Sequence, residues 1–163
     1  MIQQMVKDEK VLPHDKKQLM EAKGYELYNR ELVRKVFPRI IAEVRDIRPK
    51  SKTGDIIPFY FALLSYIDGN RYRADGSLNG RFGYAFPSQD RIAEMTGVDR
   101  KRHKQLTRIL KANGILSDVR DYYEGTNRYL WYKPSFCPQI SDDGYIVNED
   151  GEKVVPDYSE IIK

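Results

Sequence analysis

The chain has 163 residues, 40% of them hydrophobic, and a formal net charge of +4. That length holds one domain with appendages or two small ones. The single Cys137 excludes an internal disulfide and a cysteine-based zinc site, and no apolar run approaches the ~20 residues needed to span a bilayer, so the chain reads as soluble and cytoplasmic, with no membrane partner.

Charge is unevenly spread. Residues 1–54 hold thirteen Lys and Arg against eight acids, and residues 55–135 hold thirteen against nine. Residues 136–163 reverse the sign, with two against seven. A basic body carrying an acidic tail suits a polyanionic partner, although net charge serves solubility equally well.

Residues 1–23 are polar and mixed in charge, and read as a mobile arm with a short helix near Lys16 to Lys23. Residues 24–54 form a helical extension and a linker. Leu32, Val36, Ile40, Val44 and Ile47 recur at helical spacing, and Val33, Phe37 and Ile41 widen the stripe. Pro38 interrupts it: either the helix kinks there, or one element ends at Phe37 and another starts at Pro38. So wide a face packs on the rest of the chain or forms a dimer interface. The linker RPKSKTG, Arg48 to Gly54, is basic and polar.

Residues 55–135 hold the main domain. A helix is expected at Pro58 to Ile67, with proline in its first turn. A long polar loop follows, Asp68 to Gly83, with three turn dipeptides and Arg71, Arg73 and Arg81. Ser88 then has the chemistry of an N-cap for a helix over Gln89 to Met95. Gly97 permits a sharp reversal, Val98 plugs the corner, and Asp99 caps a second helix that ends at Asn113-Gly114. That helix carries Arg100, Lys101, Arg102, Lys104, Arg108 and Lys111. Strand-like Ile115 to Asp121 and Arg128 to Lys133 flank the turn Gly125-Thr126-Asn127.

Two helices at a glycine turn followed by a hairpin predict a winged helix-turn-helix. The fold class expected is mostly α with a small β-hairpin (α+β), with an N-terminal helical extension and a C-terminal acidic tail. Helix-turn-helix geometry sends the outward stripe of the second helix to base edges, here Arg100, Lys101, Lys104, Gln105 and Arg108. Ser88, Gln89 and Arg102, with Arg120, Thr126, Asn127 and Arg128 of the hairpin, are expected at phosphates. His103 and Thr107 fall where an aliphatic residue is more usual, and His103 reads as a partly buried packing residue.

No phosphate-binding glycine loop, histidine or cysteine metal spacing, or nucleophile elbow occurs. The chain therefore reads as no enzyme, with no cofactor and no metal. Residues 136–163 read as a mobile acidic tail, with the flanks of a small hairpin at Tyr145 to Val155.

Residues 56–133 resemble the winged-helix domains of plasmid and phage replication proteins from Gram-positive bacteria. The resemblance rests on IIPFYFALLSYIDGN, a Tyr-x-x-Pro-Ser motif at Tyr84 to Ser88, and the run to GIL at Gly114 to Leu116. Ser88, Ala93, Gly97, Leu110 and Gly114 sit where that pattern expects them, whereas His103 and Thr107 depart from it. The resemblance implies site-specific double-stranded DNA binding, as a homodimer on repeated or palindromic sites. It implies a role in replication initiation, transfer or transcription of a mobile element, alongside other replication or transfer proteins. The competing reading is a protein-interaction adaptor that uses the winged helix and the 25–47 helix as its interface.

Overall fold

A computed structural model describes residues 14–135 and 137–162. The architecture is mixed α and β, with helices packed around one apolar cluster and a long antiparallel hairpin beside them. Most of the expected N-terminal arm, residues 1–13, lies outside the described residues. Within it α1 spans Lys16–Glu21, where the Asp15 carboxylate accepts from the Gln18 N–H at 2.8 Å; no α1 side chain is buried.

The helical extension resolves the question raised by Pro38. The chain turns helical at Arg30, runs through a π turn at Leu32–Val36, and continues as α2, Phe37–Ile47. Proline has no N–H to give and would crowd the carbonyl one α turn back. The wider π turn avoids that crowding, and the Phe37 N–H reaches back five residues to Leu32 O. Leu32, Val36, Phe37, Ile40 and Val44 are buried in the main core. The stripe thus packs within its own chain, while Val33 and Ile47, expected in it, are exposed.

A 3-10 turn at Thr53–Asp55 leads into α3, Ile56–Leu64, with Pro58 in the first turn. This helix is apolar on most sides because most of it is covered: Ile56, Phe59, Tyr60, Ala62, Leu63 and Leu64 are all buried. The Tyr60 hydroxyl donates to Ser135 O at 3.0 Å, tying α3 to the end of the hairpin. In the loop that follows, Asp68 accepts from the Asn70 N–H and from Asn79 Nδ2, and Tyr72 bridges Leu78. These bonds close the loop on itself.

The next two helices keep the expected boundaries closely. Helix α4 spans Gln89–Thr96 and α5 spans Arg100–Ala112. Ser88 Oγ accepts from the Arg91 N–H at 3.1 Å, and Asp99 from the Lys101 N–H at 2.8 Å. Gly97 sits at φ +70, the left-handed region that a side chain resists. Ile92, Val98, Leu106, Ile109 and Leu110 pack inward. Burying each such aliphatic side chain stabilises the fold by about 1.5–3 kcal/mol.

Strand β1, Leu116–Glu124, pairs antiparallel with β2, Asn127–Pro134, around a two-residue turn, Gly125-Thr126. Gly125 takes φ +63 at the turn position that favours glycine. Ala85 adds one residue of a third strand, exchanging both backbone hydrogen bonds with Tyr132. Side chains alternate across this ribbon. Val119, Asp121 and Tyr123 share one face with Tyr132, Leu130 and Arg128; Arg120 and Tyr122 share the other with Trp131 and Tyr129.

The C-terminal segment corrects the expectation of a mobile tail. Strands β3, Gln139–Ile140, and β4, Ile146–Val147, form a small hairpin that starts earlier than expected. The anticipated turn at Glu149 to Gly151 is also present, closed by a bridge from Val147 to Lys153. Ile146, Tyr158 and Ile162 are buried in the main core. Arg39 Nε donates to Gly144 O at 2.8 Å, and its Nη2 donates to Asn113 Oδ1 at 3.0 Å. The Tyr158 hydroxyl donates to Glu43 Oε2 at 2.6 Å. Gly144, at φ +87, lies so close to the π turn ahead of α2 that an added Cβ would stand 2.9 Å from Lys35 O.

Candidate nucleic-acid interface

Helix α5 holds six Lys and Arg and no acid. Its buried side chains, His103, Leu106, Ile109 and Leu110, define the inward face. At 100° per residue the opposite face carries Lys101, Lys104, Arg108 and Lys111, with Arg100 beside it. All five are exposed. Gln105 is half-buried at the flank.

Between α5 and the inner face of the hairpin runs a cleft of about 360 Å³. Lys104, Arg108 and Lys111 line it from the helix, and Arg128 lines it from β2. Arg128 is held there by Asp121, its diagonal neighbour across the ribbon, at 2.6 Å. A second cleft of similar size lies between the start of α4 and β2 and includes Ser88, Gln89, Arg100 and Arg128. Gln89 and Arg128 border both. Thr126 and Asn127 stand exposed at the hairpin tip.

Three expected residues, Arg100, Arg102 and Arg120, are placed differently from the sequence reading. Arg100 is turned toward α4, where its guanidinium donates to Asp90 at 2.9 Å and Gln89 at 3.1 Å. Arg102, expected at phosphates, points the other way: it pairs with Asp55 and donates to Lys52 O at 2.8 Å. It therefore fastens α5 to the start of α3. Arg120 lies on the outer face of the ribbon, bonded to Asp118 at 2.7 Å and 5.2 Å from the centroid of Tyr84. Strand alternation sends it away from Arg128 even though both flank the turn. Ser88 caps α4 through an acceptor lone pair, which leaves its exposed hydroxyl proton free to donate.

Lys111 was left out of the expected contacts, yet it lines the cleft with the others. The signal is in the spacing, since it lies one turn past Arg108 and two past Lys104 on one face. A shallower hollow at the end of α5 brings Arg108 and Lys111 together with Glu160 and Ile161 of the C-terminal segment.

The floor of the main cleft is unusual. His103 is buried, with Nε2 facing Val98 O at 3.0 Å and its ring 5.3 Å from Phe59. A carbonyl only accepts, so Nε2 carries the proton and Nδ1 is left as an acceptor. Burial pushes the His103 pKa down, offset in part by that carbonyl. Tyr132 is buried beside it, and burial pushes its hydroxyl up to about 12. Neither His103 Nδ1 nor the Tyr132 hydroxyl has a protein partner among the described residues.

The described residues hold no cluster of three His, Cys, Asp or Glu suited to a metal ion. No described helix is long and apolar enough to cross a membrane. No protein-family model matches the chain, and no curated protein or solved structure matches it.

Proposed function

We propose that the chain is a winged helix-turn-helix protein that binds double-stranded DNA at specific sites. One observation carries this reading: the acid-free outward face of α5, whose Lys104, Arg108 and Lys111 line one cleft with Arg128 of the hairpin. A helix of this width fits the major groove, while a hairpin beside it reaches the neighbouring backbone. In this reading Lys101, Lys104, Gln105 and Arg108 address base edges. Arg128, Lys111, Thr126, Asn127 and Gln89 address phosphates, and Arg100, at the start of α5, links back to Asp90 and Gln89 of α4.

The likeness of residues 56–133 to plasmid and phage replication proteins supports a role in a mobile element, in replication initiation, transfer or transcriptional regulation. Binding as a homodimer to repeated or palindromic sites belongs to the same proposal. The adaptor reading uses the winged helix and the 25–47 helix as its interface. It is less favoured because Leu32, Val36, Phe37, Ile40 and Val44 of that helix are buried in the chain's own core, which leaves Val33 and Ile47 as the exposed part of the stripe.

The test is selection of bound duplexes from a random pool, followed by comparison with a Lys104→Ala/Arg108→Ala variant. Good base contacts carry about 1–3 kcal/mol of discrimination each. The variant is expected to fold normally and to lose at least about tenfold of the preference for selected over random duplex. An undiminished preference, or no selected sequence at all, rejects the proposal.

A further inference from the structure

The outer face of the hairpin, turned away from α5, is paved with aromatic rings and cations. Trp131 lies at its centre. Tyr122 stacks on it with centroids 5.0 Å apart and planes at 29°. Phe86 stands 5.8 Å away at 35°, and Tyr84 at 5.7 Å. Phe86 and Tyr122 are each 39% exposed, so these rings are open to solvent. The sequence explains the grouping. Alternation puts Tyr122 and Trp131 on one face of the ribbon, and the Ala85–Tyr132 bridge brings Tyr84 and Phe86 alongside.

Cations are interleaved with the rings. Arg81 lies 5.4 Å from the Phe86 centroid and 5.8 Å from that of Trp131. Lys133 lies 5.5 Å from Tyr84, with Arg120 on the same ring. Of the acids in this alternation, Asp118 is engaged by the Tyr84 hydroxyl and Arg120, each within 2.7 Å, and Glu124 sits at the hairpin tip. The centre of the face is therefore net positive.

We infer that this face binds single-stranded nucleic acid, two or three bases stacking on Phe86, Trp131 and Tyr122 while Arg81 and Lys133 meet the phosphates. Exposed rings need a partner with flat apolar surfaces, and the cations require it to be anionic. A protein partner would match the rings and arginines but would have to cover Lys133 and a net positive centre, and interface centres are depleted of Lys. A duplex fits poorly too, since its base faces are hidden within the stack and only the cations would find a target. Unstacked bases on a basic groove satisfy both demands. The inference does not depend on duplex binding by α5, which lies on the opposite side of the ribbon.

Trp131 is the single tryptophan of the chain, so it reports on this face directly. The full chain is titrated with an oligothymidine of about twelve nucleotides, within the span one such domain covers, while Trp131 emission and oligonucleotide anisotropy are followed. Saturable quenching that weakens with salt is expected. Tyr122→Leu is expected to weaken binding by about fivefold to a hundredfold. Arg81→Ala, which leaves the ring packing in place, is expected to lower the slope of log affinity against log salt by up to about one. The Lys104→Ala/Arg108→Ala variant is expected to keep single-strand binding intact, even if duplex recognition proves absent. The proposal is overturned if no oligothymidine binds at low salt, or if Arg81→Ala and Tyr122→Leu both bind unchanged. It is equally overturned if the α5 variant abolishes binding, or if Trp131 emission responds to protein concentration and not to oligonucleotide, which would mark a face closed by a second copy.

Discussion

His103 shows how one residue serves packing and local bonding together. The position faces the core, where an aliphatic side chain would be ordinary, but imidazole also donates to Val98 O across the corner between α4 and α5. It therefore helps fix the turn that aims α5. Burial disfavours the imidazolium, so its folded pKa lies below the unfolded value of about 6.5. Below pH ~6.5 the unfolded chain takes up a proton that the folded chain refuses, so stability falls as pH falls, and the loss levels off below the folded pKa. The thermal midpoint is expected to drop between pH 7.5 and 5.5 by more in the native protein than in His103→Gln. Equal drops would place the proton uptake elsewhere. Carboxylates whose pKa values are lowered, such as Asp68 and Asp118, titrate below this window. Residue-scale features of this kind were legible where the chemistry is local. Ser88, Gly97 and Asp99 announce a capped pair of helices within a dozen residues. Arg102 was not legible, because Asp55, the group that claims it, lies 47 positions away in sequence.

Elements are where the sequence reading both succeeds and slips. The apolar run suggests a helix at Pro58 to Ile67, but α3 starts two residues earlier, at Ile56, and stops at Leu64. Ser65 donates its hydroxyl to Ala62 O, and the N–H groups of Tyr66 and Ile67 make tightened three-residue bonds, so the chain leaves the helix while still apolar. The hairpin was legible as a hairpin, yet its faces depended on register. Once Gly125-Thr126 fixes the pairing, Arg120 and Arg128 must fall on opposite sides. This separates them experimentally. Under the proposed function, Arg128→Ala is expected to weaken specific and random duplex alike and to lower the salt slope by about one. Arg120→Ala is expected to leave duplex affinity unchanged. Binding of both variants across a salt series decides the matter; equal losses would contradict the two-faced arrangement.

At the scale of the whole molecule, the C-terminal segment closes the fold. Its composition, seven acids among residues 136–163, reads as a solvated tail. The anchors are few and far apart, Ile146, Tyr158 and Ile162, and no periodicity announces them. Their effect is visible only where they meet α2. Burial first, and Glu43 second, push the Tyr158 hydroxyl pKa upward, so it remains a donor to Glu43 and a neighbour of Asn113. A hydrogen bond to a charged group contributes about 1.5–3 kcal/mol, and this one is partly buried. Tyr158→Phe is expected to destabilise the protein by that amount in urea denaturation, and deletion of residues 139–163 by considerably more. A truncated chain as stable as the full one would show that the segment rests on the fold without supporting it. The docked segment also has an electrical consequence. Glu160, itself exposed, shares a shallow hollow with Arg108 and Lys111 and brings a carboxylate to the C-terminal end of α5. The helix dipole already makes that end the more negative one. Both effects grade the potential along the axis, so under the proposed function a polyanion drifting toward α5 meets its steepest attraction at Lys101 and Lys104, since Arg100 is already paired with Asp90, and approaches nearer the N-terminal end of the helix.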